Sequence, residues 1–498
     1  MDKNSAWITF PDLLIWLPLV AGLVSFVLRK DRPVKAWALF ISILTLMVSA
    51  TSLFYTKNMA LNNAPWSWMP GMGAGYTIAL DGLGRILTFL TALSFPLVFV
   101  ATYKNEYANS NNFYGLMLLT QAGLMGVFCT MDALAFYFFW ELALIPAYFL
   151  CSRWGGEKRI AATFKFFIYT FTGSLLLLVG IIYIYLQTAP VYGSTGVIVS
   201  QHSFSLSSIY AVHLLPEQQK WLFWLFFIAF AIKMPVFPFH TWQPDVYEQA
   251  PTATTMVLSG VMVKMGVFAL LRWLLPIFPV AVLKFDHIVI ILSVIGMLYA
   301  SLIAYRQDDL KRLVAYSSIA HMGLMCAAVF SGGQTGMQGV MIQLFNHGIN
   351  IIGLWIVVEA IETQTGVRKI SQLGGIANQA PALTIFLVVI ALANIALPLT
   401  NGFTGEFMMF SGLFKFNVWF AAIAGISIIL AAVYVLKMVQ QVFYGESNAL
   451  TAKIKDIGLN QQLALGIIVV FIFVLGVYPQ PVFDLAKETV TAILTRFK

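Results

Sequence analysis

Charge is scarce in this chain. Asp, Glu, Lys and Arg make up 10% of its 498 residues, where a soluble domain carries about 25%. So few charges cannot cover the outside of one or several water-soluble globules. Cysteine is scarcer still. Cys129, Cys151 and Cys326 are odd in number and widely scattered, which excludes a disulfide scaffold. The sequence holds no GxGxxG turn, no P-loop, no CxxC pair and no clustered cysteines for iron–sulfur ligation. Nor does any pair of candidate ligands have a recognisable metal spacing. No motif therefore supports NADH oxidation, ATP hydrolysis or a resident metal on this chain. Apolar residues, in contrast, reach 60%. That excludes disorder and leaves an all-α polytopic membrane protein, with 1–498 read as a single membrane domain.

A helix needs about 20 mostly apolar residues to cross the hydrocarbon, and fourteen stretches qualify, from 12–28 to 461–478. The first lacks a small-residue cleavage site and reads as a retained span. Two longer polar stretches, 56–82 and 188–219, are rich in turn-forming residues and suit exposed turns or small hairpins. Trp66 and Trp68 suit a membrane interface. The net charge of +8 is spread between apolar runs, not along an aromatic-interleaved stripe, so nucleic acid is not a partner. Loops after odd-numbered segments hold the basic clusters Lys30–Arg32–Lys35, Arg153–Lys158–Arg159 and Arg306–Lys311–Arg312. Loops after even-numbered segments hold only Lys57, Lys220, Arg272, Lys284 and Lys415. The positive-inside rule places the odd loops in the cytoplasm and both termini on the other side.

Two segments are interrupted. In FAIKMPVFPFHTW, Pro235 and Pro238 remove amide donors and should free the carbonyls of Ala231 and Met234. In NIALPLTNGFTGEF, Pro398 should free that of Asn394, and Gly402 and Gly405 loosen the helix beyond it. Interrupted helices in corresponding places point to an inverted repeat. The repeats are expected at 112–275, holding helices 4–8, and at 286–445, holding helices 9–13.

A charge at the bilayer centre costs about 2.5–3.5 kcal/mol on insertion scales, so each one needs a reason. Glu141, Lys233, Lys264 and Glu406 all lie deep in apolar runs. A desolvated amine loses its proton more readily and a nearby carboxylate restores it, so such groups suit proton transfer. Structural ion pairing is the alternative. His321 and His347 fall near the middles of their segments and His240 at a break, and a neutral imidazole can donate and accept at once. Lys165, Arg272 and Lys437 lie near segment ends, where snorkelling accounts for them. Glu359 and Glu362 read as solvated, and Asp308, Asp309, Lys311 and Arg312 as a charge-balanced helix start.

At WELALIP, FAIKMPVFPFHTWQPDVYEQAPTATT, VLSGVMVKMGVFALLRW, DDLKRLVAYSSIAHMG and LPLTNGFTGEF the sequence resembles the antiporter-like subunits of respiratory complex I, the proton-translocating NADH–quinone oxidoreductase. The resemblance runs collinearly over essentially the whole chain. It implies fourteen helices, two inverted five-helix repeats and a polar axis along the membrane. It also implies that protons move through Glu141, Lys233, Lys264, His321, His347 and Glu406, with helix breaks at Pro235, Pro238 and Pro398. Where L- and N-type members and the antiporter D subunit usually carry lysine, Glu406 resembles the M type. NADH, FMN, iron–sulfur clusters and quinone would sit in partner subunits and none on this chain. Its partners would be L- and N-type neighbours and the lipid bilayer, in a bacterial inner membrane with both termini periplasmic. The alternative is a subunit of a multi-protein sodium/proton antiporter.

Overall fold

In the computed structural model, which describes residues 8–28, 30–55, 62, 66–192 and 198–497, proline and carboxylates mark where helices begin. Asp81, Asp132 and Asp309 accept amide hydrogen bonds from the first turns of the helices they precede, which satisfies donors that would otherwise be stranded. Pro216, Pro279 and Pro381 open three others, where a missing N–H costs nothing. In chain order the helices are α1 (Phe10–Ser25), α2 (Asp31–Phe54), α3 (Gly82–Ala101), α4 (Ser110–Cys129), α5 (Ala133–Trp154), α6 (Arg159–Tyr185), α7 (Pro216–Lys233), α8 (Trp242–Gln249) and α9 (Thr252–Leu274). They continue as α10 (Pro279–Arg306), α11 (Leu310–Phe330), α12 (Gln334–Thr365), α13 (Pro381–Asn394), α14 (Asn401–Phe416), α15 (Val418–Phe443), α16 (Leu459–Val477) and α17 (Gln480–Phe497). The polar stretches hold two short antiparallel ribbons, Trp66–Met69 with Ala74–Tyr76 and Val191–Tyr192 with Ile198–Ser200. Lys57, within the first stretch, lies outside the described residues, as does Arg29.

Among the described residues, eleven helices are long and apolar enough to cross a membrane. The first expected segment is the shorter α1, of 16 residues. The seventh divides into α7 and α8, and the twelfth into α13 and α14. The sequence reading did not anticipate α17. It is short of apolar residues for a span, yet it packs on the start of α3, where a Cβ on Gly82 would lie 1.8 Å from the Leu485 carbonyl oxygen.

Helices α9 and α12 are buried along their whole apolar lengths, while α2, α15 and α16 turn most of theirs outward. The outward faces carry large exposed side chains such as Phe40, Phe54, Phe414 and Phe473. That is the inverse of a soluble protein's surface and suits lipid. The polar machinery is therefore carried by the two central helices and the elements that surround them.

Both breaks are built, and the first differs from expectation. The Ala231 carbonyl is not left free, since it accepts from Val236 N–H at 2.9 Å. The neighbouring Ile232 carbonyl takes the Trp242 indole N–H at 3.0 Å. In the second break Ala396 and Leu399 adopt φ of 56° and 74°, a left-handed region that costs side-chain-bearing residues of order 1–3 kcal/mol each. An amide clasp with α12 holds it. Asn350 and Asn401 exchange side-chain hydrogen bonds at 3.0 and 3.1 Å, and Asn346 donates to the Asn401 carbonyl at 2.7 Å. Backbone freed at membrane depth needs such partners.

Candidate functional site: a buried row of ionisable side chains

Glycines decide which helices come close. A Cβ on Gly348 would lie 2.9 Å from the Gly260 carbonyl oxygen, and one on Gly405 would lie 2.3 Å from Gln343 Oε1. Small residues at these crossings let α9 meet α12, and α12 meet α14, at backbone distance. Side chains beside the crossings then reach one another.

Lys264 is wholly buried. Its Nζ lies 2.6 Å from the Ser259 carbonyl oxygen and 2.9 Å from His347 Nδ1. The Ser259 carbonyl lies in a π-helical turn, Leu258–Met262, just before Lys264, and a second such turn occurs at Leu270–Leu274. A widened turn aims carbonyls away from the ordinary ladder and is frequent at functional sites. The His347 and His321 rings stand 5.3 Å apart between centroids. His321 Nδ1 lies 2.9 Å from Glu406 Oε1, and Gln343 Nε2 donates to the same oxygen at 3.3 Å. Lys264, His347, His321 and Glu406 thus form one buried row across α9, α12, α11 and α14. The structure places His321 between His347 and Glu406.

The other two expected residues form a second group. Glu141, half-buried on α5, accepts a hydrogen bond from Ser174 Oγ of α6. Lys233, at the last turn of α7, is 2% exposed, with Nζ 5.4 Å from the Trp140 ring centroid and no hydrogen-bond partner among the described residues. Gly173, next to Ser174, packs on Ala229 and Ile232 of α7. Glu141 and Lys233 therefore share one corner of α5, α6 and α7. This corner adjoins the row, because a Cβ on Gly266 of α9 would lie 2.7 Å from both the Phe230 carbonyl oxygen and Met234 Cβ. His240 is buried at the first break, stacked on Phe237 and edge-on to Tyr299, outside the row.

The structure gives the residues read as snorkelling or solvated specific partners, and it contradicts snorkelling for Arg272, which is buried. Lys165 pairs with Asp245 at 2.7 Å, and Arg272 is buried against Asp81 at 2.6 Å. Glu362 pairs with the buried Lys311 at 2.7 Å, and Asn105 donates to Glu359 at 2.6 Å. Arg368 reaches Glu248, Asp309 and Glu362, and Arg312 reaches Asp245 and Glu248. This network borders a polar cavity of about 420 Å³. The cavity gathers the loops after the third, fifth, seventh, ninth and eleventh expected segments onto one face of the bundle.

Sequence reasoning missed Gln343, Asn346, Asn350 and Ser174. The signal was present in MIQLFNHGIN, where 343, 347 and 350 fall on one face of a helix and 346 borders it.

An all-helical bundle with a lipid-facing exterior and an internal row of hydrogen-bonded Lys, His and Glu defines a polytopic membrane protein organised around proton-exchanging side chains. The family model described as "NADH:quinone oxidoreductase/Mrp antiporter, TM" matches residues 130–431, and the chain belongs to that family. NADH-quinone oxidoreductase subunit M of Rickettsia prowazekii is 33% identical to it, over 98% of this chain and 99% of the relative. The subunit M of Rhodobacter capsulatus is 35% identical, over 98% and 96%. A chain of respiratory complex I from Thermus thermophilus with bound NADH superposes with a TM-score of 0.87 at 29% identity, covering 97% of this chain and 99% of that one.

Proposed function

We propose that the chain is a proton-translocating membrane-arm subunit of an NADH–quinone oxidoreductase, of the M type. Full-length relatives at about a third identity bear that subunit's name. The observation that carries the mechanism is the unbroken contact series Lys264–His347–His321–Glu406, at 2.9 Å, 5.3 Å between rings, and 2.9 Å.

In this reading the chain is a translocase part without a redox centre of its own. NADH, FMN, iron–sulfur clusters and quinone belong to partner subunits, and L- and N-type subunits flank it. A proton enters at the Glu141–Lys233 corner and passes to Lys264. It then crosses His347 and His321 and leaves from Glu406, beside the second break. Each imidazole can take a proton on one nitrogen while releasing one from the other. The two halves of this path correspond to the repeats 112–275 and 286–445. In support, each contains a broken fourth helix, α7–α8 in α4–α9 and α13–α14 in α10–α15. The cavity face is cytoplasmic and both termini are periplasmic in a bacterial inner membrane. Its support is that the lysine- and arginine-bearing loops gather there.

Glu406→Gln and Glu141→Gln remove titration with little change of shape. Each should leave the complex assembled, with its redox subunits copurifying, while NADH-driven proton uptake into inverted vesicles falls. Normal uptake in both variants would overturn the reading.

A further inference from the structure

We infer that Gln343 is a working member of the proton path, controlling how readily Glu406 gives up and takes back its proton. This rests on the function proposed above. Gln343 lies on α12 one turn before His347, is 2% exposed, and places Nε2 3.3 Å from Glu406 Oε1. That oxygen also faces His321 Nδ1 at 2.9 Å, so the amide touches the very atom that exchanges the proton.

The chemistry of a primary amide gives it two settings. With Nε2 toward Glu406 it donates, and donation favours the ionised carboxylate. With Oε1 toward Glu406 it accepts, which a protonated carboxyl group satisfies and a carboxylate does not. In the structure Nε2 faces Glu406, and Oε1 is buried without a hydrogen-bond partner. A half-turn of the amide would exchange its two atoms, so that Oε1 meets Glu406 once it is protonated and Nε2 takes the unpaired place. The amide can thus track the proton, holding the carboxylate form before arrival and the acid form after it.

The surroundings leave this role to Gln343. The titratable groups that border Glu406 are His321 from α11 and Tyr434 from α15, which line a small cavity with it. Tyr434 is committed elsewhere, its hydroxyl donating to Ser317 Oγ at 2.9 Å. Helices α13 and α16 contain no ionisable residue, and from α12 His347 acts only through His321. Gly405 provides the room, because a Cβ there would lie 2.3 Å from Gln343 Oε1.

The test uses the assembled complex in inverted vesicles, with Gln343→Met and Gly405→Ala. Methionine keeps the length of the side chain and removes both settings; alanine leaves the amide intact and pushes it from its place. A charge-assisted hydrogen bond corresponds to about one pH unit. In Gln343→Met both settings are lost, and because the charge-assisted bond to the carboxylate outweighs the neutral one to the acid, the alkaline limb of proton uptake should move upward by less than that amount, and the carboxyl band of Glu406 should move in the infrared difference spectrum. Gly405→Ala should shift the limb in the same direction and decides the matter if Gln343→Met does not assemble. An unchanged pH profile and an unchanged carboxyl band in an assembled variant would overturn the inference. If Glu406→Gln abolishes uptake while Gln343→Met changes neither readout, only this inference falls and the proposed function stands.

Discussion

The contact between Lys264 and His347 makes a quantitative demand on how protons pass. Two cations 2.9 Å apart would repel by about 6 kcal/mol at an effective dielectric near 20, equivalent to roughly four powers of ten in proton affinity. The pair can therefore hold one positive charge and not two. When Lys264 is an ammonium, His347 Nδ1 accepts from it. When His347 takes the proton, the neutral amine remains beside the Ser259 carbonyl. A second proton reaching the pair must drive the first toward His321. His347→Gln keeps a side chain able to accept a hydrogen bond from Lys264 but unable to carry its proton. The displacement step is then lost, and the lysine becomes a trap. Even a fraction of the 6 kcal/mol is enough for a large effect, since about 1.4 kcal/mol is tenfold in rate. NADH-driven acidification of inverted vesicles should fall at least about tenfold, with assembly on native gels unchanged. Assembled His347→Gln complex that acidifies vesicles at the normal rate would refute the reasoning.

Two further expectations concern orientation and the rim of the bundle. A cysteine placed at Lys158 should react with a membrane-impermeant maleimide only from the cytoplasmic side, and one at Lys284 only from the periplasmic side; the opposite pattern would invert the topology. Asp132 caps α5, accepting from Gly75, Leu134 and Ala135 N–H at 3.0 Å each, yet burial raises its carboxyl above the usual range against those donors. A raised acid stabilises the fold most below its unfolded value near 3.9, and that contribution is lost as pH rises through the folded value. Asp132→Asn keeps the bonds from Leu134 and Ala135, gives up that from Gly75 and removes this titration, so the variant's unfolding temperature relative to the parent should be highest near pH 7 and decline as pH falls. A variant less stable at pH 7 whose deficit closes in acid would refute the sign.

How much of this was legible in the sequence depends on what kind of signal each residue gives. Lys233, Lys264 and Glu406 stood out because each interrupts an apolar run, and the helix breaks because proline removes a donor. Which of these residues meet was not legible. The meeting of Lys264 and His347 depends on Gly260 and Gly348 lying opposite each other on α9 and α12, a relation between distant segments that no local pattern encodes. His321 becomes the partner of Glu406 through the rotation of α11 about its axis, set by packing alone. The partners of Lys165, Arg272 and Glu362 were not legible for the reverse reason. Position near a segment end suggests water, but Asp245 of α8, Asp81 before α3 and Lys311 of α11 come from distant stretches of the chain to pair with them. Helix α17 escaped because a threshold of about 20 apolar residues finds spans and passes over a helix that lies against the bundle.

The chain builds its two polar regions on opposite terms. On the cavity face Arg368 alone contacts Glu248, Asp309 and Glu362, Lys311 is held by Glu362, and Arg312 by Asp245 and Glu248. Those charges are saturated, and a saturated network fixes loops in place. Along the internal row and beside it, Lys233 Nζ, His347 Nε2, His321 Nε2 and Gln343 Oε1 are all buried without a hydrogen-bond partner among the described residues. Each such atom costs about 1–3 kcal/mol, and four of them would be a poor way to hold helices together. The α12–α14 contact needs no help from them, since the reciprocal Asn350–Asn401 pair and the Asn346 Nδ2 bond to the Asn401 carbonyl already secure it. A proton can move only toward a group with a free lone pair, and it leaves behind a group that needs one. Incomplete pairing is thus the condition for transfer, and the path from Lys233 to Glu406 meets it where the ion-paired charges of the cavity face do not.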